Sequence, residues 1–265
     1  MSGRLDGLVL LEGGCNFREV DRYRSGDGRY LRAGSLYRSG VLSYLTAADQ
    51  RVVQQLGIRT IVDLRRAEER RREPTRWVEA GTRVLHREQT LDPPPLLSFA
   101  LREAPNPPQM RQAMIELYRA MADSQAERLR AMCEALIAGE LPMLVHCSGG
   151  KDRTGFAVAV LLELLGIERA QIVRDYSLTN EVVDLERFVV EHRAGGGAGI
   201  AAGAHPLLRL PPDVRGVLFT ADPAYLDAAL ERLESEFGSV QGYARRCLGL
   251  DVAALDILRN RMLTA

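Results

Sequence analysis

One ten-residue stretch carries a nucleophile and the groups to use it: His146-Cys147-Ser148-Gly149-Gly150-Lys151-Asp152-Arg153-Thr154-Gly155. It lies between an apolar run that reads as a buried strand and an apolar run that reads as a buried helix. A short turn entering a helix points successive backbone N–H groups inward and makes an anion cradle. Gly149 and Gly150 let the backbone come close to a ligand, and the helix dipole adds positive potential. Cys147 at the base of such a cradle is expected to be a stabilised thiolate, below the free thiol value of about 8.5. Arg153 offers a planar fork for two oxygens of a tetrahedral oxyanion. Thr154 offers a hydroxyl to the sulfur. Ser148, Gly149, Gly150, Lys151 and Thr154 are therefore the expected phosphate-binding residues, around Cys147 and Arg153. Cys-x5-Arg alone is a weak signal, but the full string between strand and helix is specific. The nucleotide-binding loop G-x-x-x-x-G-K-[ST] does not fit, because Val145 stands at the first glycine position and Asp152 follows the lysine.

Phosphoryl transfer also needs a proton for the leaving oxygen. Two carboxylates are candidates for the general acid: Asp63, ending a strand expected beside the Cys147 strand, and Asp152, inside the turn. His146 is expected behind the nucleophile, its ring bonding the backbone. Lys151 is the one lysine among 35 basic residues, and its position suggests the rim of the cradle, facing a second phosphate or an acidic flank. Arg18, Arg38 and Arg65 are candidates for the site wall or for support just behind it.

The elements that must position these groups follow from periodicity. Leu36 to Ser39, Ile58 to Leu64 and Leu141 to Cys147 read as strands. Thr46 reads as an N-cap with Asp49 in the first turn, and the helix runs to Leu56 with Gly57 as its stop. The stretch Arg65 to Glu73, with five Arg and three Glu, reads equally well as a solvated helical face or as a functional segment. Residues 92–108 hold six of the twelve prolines and read as a mobile loop. Met110, Met114, Leu117 and Met121 recur at helical spacing, as do Leu129, Met132, Cys133 and Leu136. Thr154 to Leu165 is apolar nearly all round, a buried helix stopped by Gly166. Residues 194–206 read as a glycine-rich hinge. Asp222-Pro223 opens a helix that ends at Gly238. Strands alternating with helices imply an α/β fold with a mostly parallel sheet, whose site lies at the carboxyl ends of the strands.

Composition narrows the partners. The chain has 265 residues with 35 basic and 35 acidic side chains, a balance that disfavours nucleic acid as a partner. No apolar run is long enough for a membrane span, and the Leu8 to Leu11 run is too short for a signal-peptide core. A cytoplasmic protein is expected, with export by another route left open. Cys15, Cys133, Cys147 and Cys247 have no metal-ligand spacing, nor do the histidines, so neither metal nor cofactor is expected. The sequence leaves the oligomeric state open.

His146 to Gly155 resembles the H-C-x5-R-[ST] signature of cysteine-dependent protein tyrosine phosphatases. Asn16-Phe17-Arg18-Glu19-Val20 resembles the N-F-R-D-[LV] opening of one bacterial branch, with Glu19 departing from the usual Asp. That branch holds tyrosine and dual- or triple-specificity phosphatases related to the mycobacterial secreted phosphatase B. Leu36-Tyr37-Arg38-Ser39, Leu56-Gly57-Ile58, and Asp63-Leu64-Arg65 with Glu68 or Glu69 and Pro74 are similar to its next blocks. Asp175 to Asn180 and Gly238 to Tyr243 are similar to later ones. The likeness implies one phosphatase domain over 1–265, with a variable loop about 90–110, a candidate lid about 180–220, and Asp63 as acid. It also implies a phosphocysteine route acting on phosphotyrosine first, with phosphoserine, phosphothreonine and phosphoinositides as further candidate substrates. A catalytically silent phospho-ligand module, and an arsenate-reducing or sulfur-transferring enzyme, are the alternatives. A resolving cysteine near the loop would favour the latter, and none is visible in sequence.

Overall fold

Three buried tetrapeptides form the centre of the sheet in the computed structural model, which describes residues 7–88, 95–193 and 205–265. Strands β1 (Arg18–Glu19), β2 (Tyr30–Leu31), β3 (Leu36–Ser39), β4 (Thr60–Asp63), β5 (Arg83–Leu85), β6 (Met143–His146) and β7 (Leu263–Thr264) are present. Five of them make one sheet in the order β1-β3-β6-β4-β5, while β2 and β7 pair separately. Pairings β3/β6, β6/β4 and β4/β5 are parallel, and β1 joins β3 antiparallel. The fold is therefore α/β with a mostly parallel sheet, as the strand–helix alternation implied.

Alternation of side chains builds two layers of core. Leu36, Val62, Met143 and Val145 face one large apolar cluster, while Tyr37, Ile61 and Leu144 face a second. Helix α1 (Ala47–Gln55) lends Val53 to the second cluster and starts at the predicted Thr46 cap, with a capping box to Asp49. Helices α2 (Ala67–Arg72), α3 (Leu96–Glu103), α4 (Pro107–Ser124), α5 (Ala126–Ile137) and α6 (Asp152–Leu164) follow. Every residue of α6 from Thr154 to Leu162 is buried, which is why its sequence lacks a polar face. Burying each large apolar side chain there stabilises the fold by about 1.5–3 kcal/mol. Then come α7 (Arg169–Ser177), α8 (Thr179–Val182), α9 (Leu185–Phe188), a π-helical turn Val189–Arg193, α10 (Pro212–Phe219) and α11 (Pro223–Phe237). Helix α11 has the predicted Asp222 cap and Gly238 stop.

The proline-rich segment departs from the loop expected over 92–108. From Leu96 it is helical, and Ala100 is buried. Pro107 and Pro108 occupy the first turn of α4, capped by Asn106. Proline breaks a helix interior but suits its first turn, where no N–H partner is lost. Residues 89–94, and residues 194–204 of the expected hinge, lie outside the described residues. Among the described residues no helix is long and apolar enough to cross a membrane.

Register brings the chemistry together. Ser39 and Asp63 both pair with His146, so three strands end at one level, and Cys147 follows immediately.

Candidate active site

The turn from β6 to α6 is held from outside. Ser148 O accepts from Val41 N at 3.2 Å and from Arg193 Nη2 at 3.3 Å. Gly149 O accepts from Asn16 Nδ2 at 3.3 Å, and Gly150 O from Asn16 Nδ2 at 2.9 Å and Arg38 Nη2 at 2.8 Å. With the carbonyls taken up behind, the N–H groups of Ser148, Gly149, Gly150 and Lys151 donate to no backbone carbonyl among the described residues. Successive unspent N–H groups at a helix entrance are the geometry that an anion cradle requires. Gly150 has φ of +67°, and a Cβ there would lie 2.6 Å from Gly40 N, so both conformation and space require glycine. Cys147 sits at the base, 2% exposed.

Arg153, in the first turn of α6, folds back over the turn. Its Nη1 and Nη2 donate to Glu69 Oε2 and Oε1 at 2.6 and 2.7 Å, and Nη1 also reaches Leu64 O at 3.2 Å. Ser148 Oγ donates to Glu69 Oε1 at 2.8 Å. Burial disfavours the Glu69 anion, but Arg153 outweighs it and holds the carboxyl well below the usual range. Glu69 lies on α2, in the arginine-rich stretch that read ambiguously. Its partner is distant in sequence, so only the family-like block marked it.

Asp152 faces the open side. Its side chain is 33% exposed, Tyr118 donates to its Oδ1 at 2.8 Å, and Tyr176 lies 2.7 Å from the Tyr118 oxygen. Burial pushes both phenols well above their ordinary range, so neither loses its proton near neutrality.

Asp63, the other acid candidate, is placed differently from the expectation. It is 3% exposed and grips Arg65 through Nε–Oδ1 at 2.9 Å and Nη2–Oδ2 at 2.7 Å. Burial disfavours its charge, but His146 and the Arg65 fork outweigh that and hold the carboxyl at about 2. A carboxyl kept ionised and bound on both oxygens has no proton to give. Arg65 is likewise no wall residue: it is 1% exposed and donates on to Glu73 O and Thr75 Oγ1. Arg18 and Arg38 also leave the wall, being buried behind the turn.

Four other expectations are corrected. The Lys151 ammonium does not face the rim. It is 2% exposed and donates to Leu218 O and, at 3.1 Å, Thr220 O, at the end of α10. The last carbonyls of a helix lack intrahelical donors and carry partial negative charge, which draws the cation there. Neither His146 ring nitrogen has a hydrogen-bond partner, and Nε2 stands 3.6 Å from Asp63 Oδ2. Burial lowers the His146 pKa, and the nearby Asp63 carboxylate opposes that shift. Thr154 Oγ1 is buried inside α6 and makes no bond to the sulfur. A second cysteine does approach the loop, contrary to the sequence reading: Cys15 Sγ lies 3.8 Å from Gly149 O.

Above the turn lies a cavity of about 250 Å³, open to solvent at its mouth. Glu69, Ser148, Lys151, Asp152, Arg153 and Arg193 are among its polar lining residues, and Met114, Phe188 and Phe219 are among its apolar walls. Asp63 does not line it.

The model of a family described as "Tyrosine phosphatase family" matches residues 9–264. A putative tyrosine-protein phosphatase of Cupriavidus necator is 32% identical over 247 residues, which cover 91% of this chain and 84% of that protein. The triple specificity protein phosphatase PtpB of Mycobacterium tuberculosis is 30% identical over 279 residues, 96% and 98% of the two chains. A tyrosine-protein phosphatase of Nostoc commune is 26% identical over 232 residues, 88% and 75%.

Proposed function

The chain belongs to the tyrosine phosphatase family, and on that premise we propose that it hydrolyses phosphomonoesters through a phosphocysteine on Cys147. The observation that carries this reading is the cradle: Cys147 adjoins four N–H groups that donate to no backbone carbonyl among the described residues, the peptide carbonyls of three of them (Ser148, Gly149 and Gly150 O) are held by other segments, and Arg153 folds back over the turn. The thiolate attacks phosphorus in line, the S–P bond forms, and the P–O bond to the leaving group breaks. The cradle and Arg153 hold the three equatorial oxygens. Asp152 gives its proton to the leaving oxygen and then takes one from the water that cleaves the S–P bond, restoring the thiolate. Glu69 keeps the Arg153 fork in place.

Phosphotyrosine is the first substrate, because the apolar walls suit an aryl ring next to a polar floor. Phosphoserine, phosphothreonine and phosphoinositides are further candidates, supported by a relative named for triple specificity. A panel of phosphotyrosine, phosphoserine and phosphothreonine peptides with phosphoinositides tests this, with Cys147→Ser as the blank. Turnover of phosphotyrosine should be fastest, and absence of turnover across the panel would leave the silent binding module. The arsenate-reducing alternative needs a resolving thiolate. Burial pushes the Cys15 thiol up to about 12, which disfavours that role despite its position.

Residues 185–193 and 205–219, the described residues within the candidate lid about 180–220, supply Leu185, Phe188, Leu218 and Phe219 to the cavity, and we assign them the part of a lid. Lys151 ties that lid to the cradle. A charged hydrogen bond contributes about 1.5–3 kcal/mol, so Lys151→Met should raise the rate of Cys147 alkylation by iodoacetamide about tenfold. An unchanged rate would count against the tie.

A further inference from the structure

Each peptide of the turn has its carbonyl and its N–H on opposite sides, because a trans peptide is planar with the two groups antiparallel. The carbonyl of Gly150 and the N–H of Lys151 belong to one such plane, and the carbonyl of Gly149 and the N–H of Gly150 to the one before. Whatever grips the carbonyls from behind therefore aims the donors in front. Among hydrogen bonds in series, each also polarises the next, so a cation on the carbonyl makes the opposite N–H a stronger donor.

The grip on these two planes is built from buried side chains of three separate segments. Arg38 is 0% exposed, donates from Nη2 to Gly150 O at 2.8 Å and from Nη1 to Asp175 Oδ2. Asp175 lies on α7, 3% exposed, and its Oδ1 accepts from the Tyr23 hydroxyl at 3.2 Å. Arg18 donates from Nη2 to Asp175 O at 2.9 Å and from Nη1 to Asn16 Oδ1. Since the Asn16 oxygen is taken by Arg18, its amide nitrogen must face the loop, where it meets both glycine carbonyls. Asn16 has φ of +56°, a left-handed conformation that asparagine tolerates better than most residues. Two of these groups are cations and one is an anion, so the Gly150 carbonyl is backed by positive charge.

We propose that Arg38, held by Asp175, and Asn16, held by Arg18, are positioning residues that aim and polarise the Gly150 and Lys151 N–H groups of the oxyanion cradle through their peptide planes. The proposal rests on the phosphatase reading of Cys147. It makes the three family-like blocks around Asn16, Arg38 and Asp175 one device acting on a fourth.

Alkylation of Cys147 tests it without turnover. Iodoacetate carries a carboxylate that the cradle would hold, whereas iodoacetamide is neutral. The ratio of their rates reads the cradle and is insensitive to a uniform loss of stability. Arg38→Lys keeps the charge but not the fork, and Asn16→Gly keeps the backbone conformation but not the amide. Weakening rather than removing a cradle donor should lower the iodoacetate-to-iodoacetamide ratio about tenfold in each variant, with kcat on an aryl phosphate falling alongside. The double variant should lose less than the product of the two, since both act on Gly150 O. Wild-type ratios in both variants, even with lowered melting temperatures, would overturn the proposal. Should Arg38→Lys not fold, Asn16→Gly decides alone. If the wild type itself shows no preference for iodoacetate and no aryl phosphate turnover, the phosphatase reading fails instead.

Discussion

A Cys147→Ser chain should lose about 10⁴-fold or more in kcat on an aryl phosphate while still binding it. The two properties separate because they belong to different atoms. The sulfur makes the covalent bond, whereas the N–H groups of residues 148–151 and the Arg153 fork hold the oxyanion. A serine hydroxyl at the same place keeps its proton at neutral pH and is a poor nucleophile. Ligand affinity should therefore fall little, and calorimetry with the variant should still detect the phosphorylated substrate. Arg153→Met should differ by losing both binding and turnover, since it removes the charge and leaves Glu69 without its bidentate partner. Turnover by Cys147→Ser within about tenfold of wild type would assign the nucleophile elsewhere.

Asp152→Asn and Asp63→Asn should separate the acid from the structural carboxylate. Asp152→Asn should lower kcat about 10²–10³-fold for poor leaving groups and much less for a nitrophenyl group that departs as a stable anion. Asp63→Asn should leave that leaving-group dependence as in the wild type. Its signature is in stability instead. The folded pKa of Asp63 is about 2, below the ordinary value of 3.8 that the unfolded chain shows. Folding therefore favours the anion, and the gain is complete above about pH 4 and lost as pH falls through 2. Its size is on the order of 2 kcal/mol. Urea melts between pH 5 and pH 2 should show a shallower decline for Asp63→Asn than for the wild type. A leaving-group effect in Asp63→Asn and none in Asp152→Asn would reverse the assignment.

The contiguous part of the site was legible in the sequence. Cys147, the two glycines and Arg153 share one turn, and the strand and helix around it are apolar enough to read directly. The Thr46 and Asp222 caps marked their helices for the same reason: cap chemistry is local. What the sequence hid depends on topology. Glu69 meets Arg153, Tyr118 meets Asp152 and Asp175 meets Arg38 only because sheet order and helix packing bring their segments side by side. Lys151 was read as facing substrate because nothing local showed that the end of α10 would offer it carbonyls. Asp63 was read as an acid because its position at a strand end was visible, while the grip of Arg65 on both its oxygens was not. Pro107 and Pro108 fell in the expected loop over 92–108 because composition does not distinguish a loop from the first turn of a helix.

The covalent intermediate is the claim on which the mechanism turns. Wild-type protein mixed with a fast aryl phosphate, quenched in acid within milliseconds and digested, should carry a phosphoryl group on the peptide containing Cys147, located on sulfur by mass spectrometry. The Cys147→Ser protein should carry none. A phosphoryl group on His146 or Ser148, or steady turnover with no phosphorylated enzyme at any quench time, would contradict it.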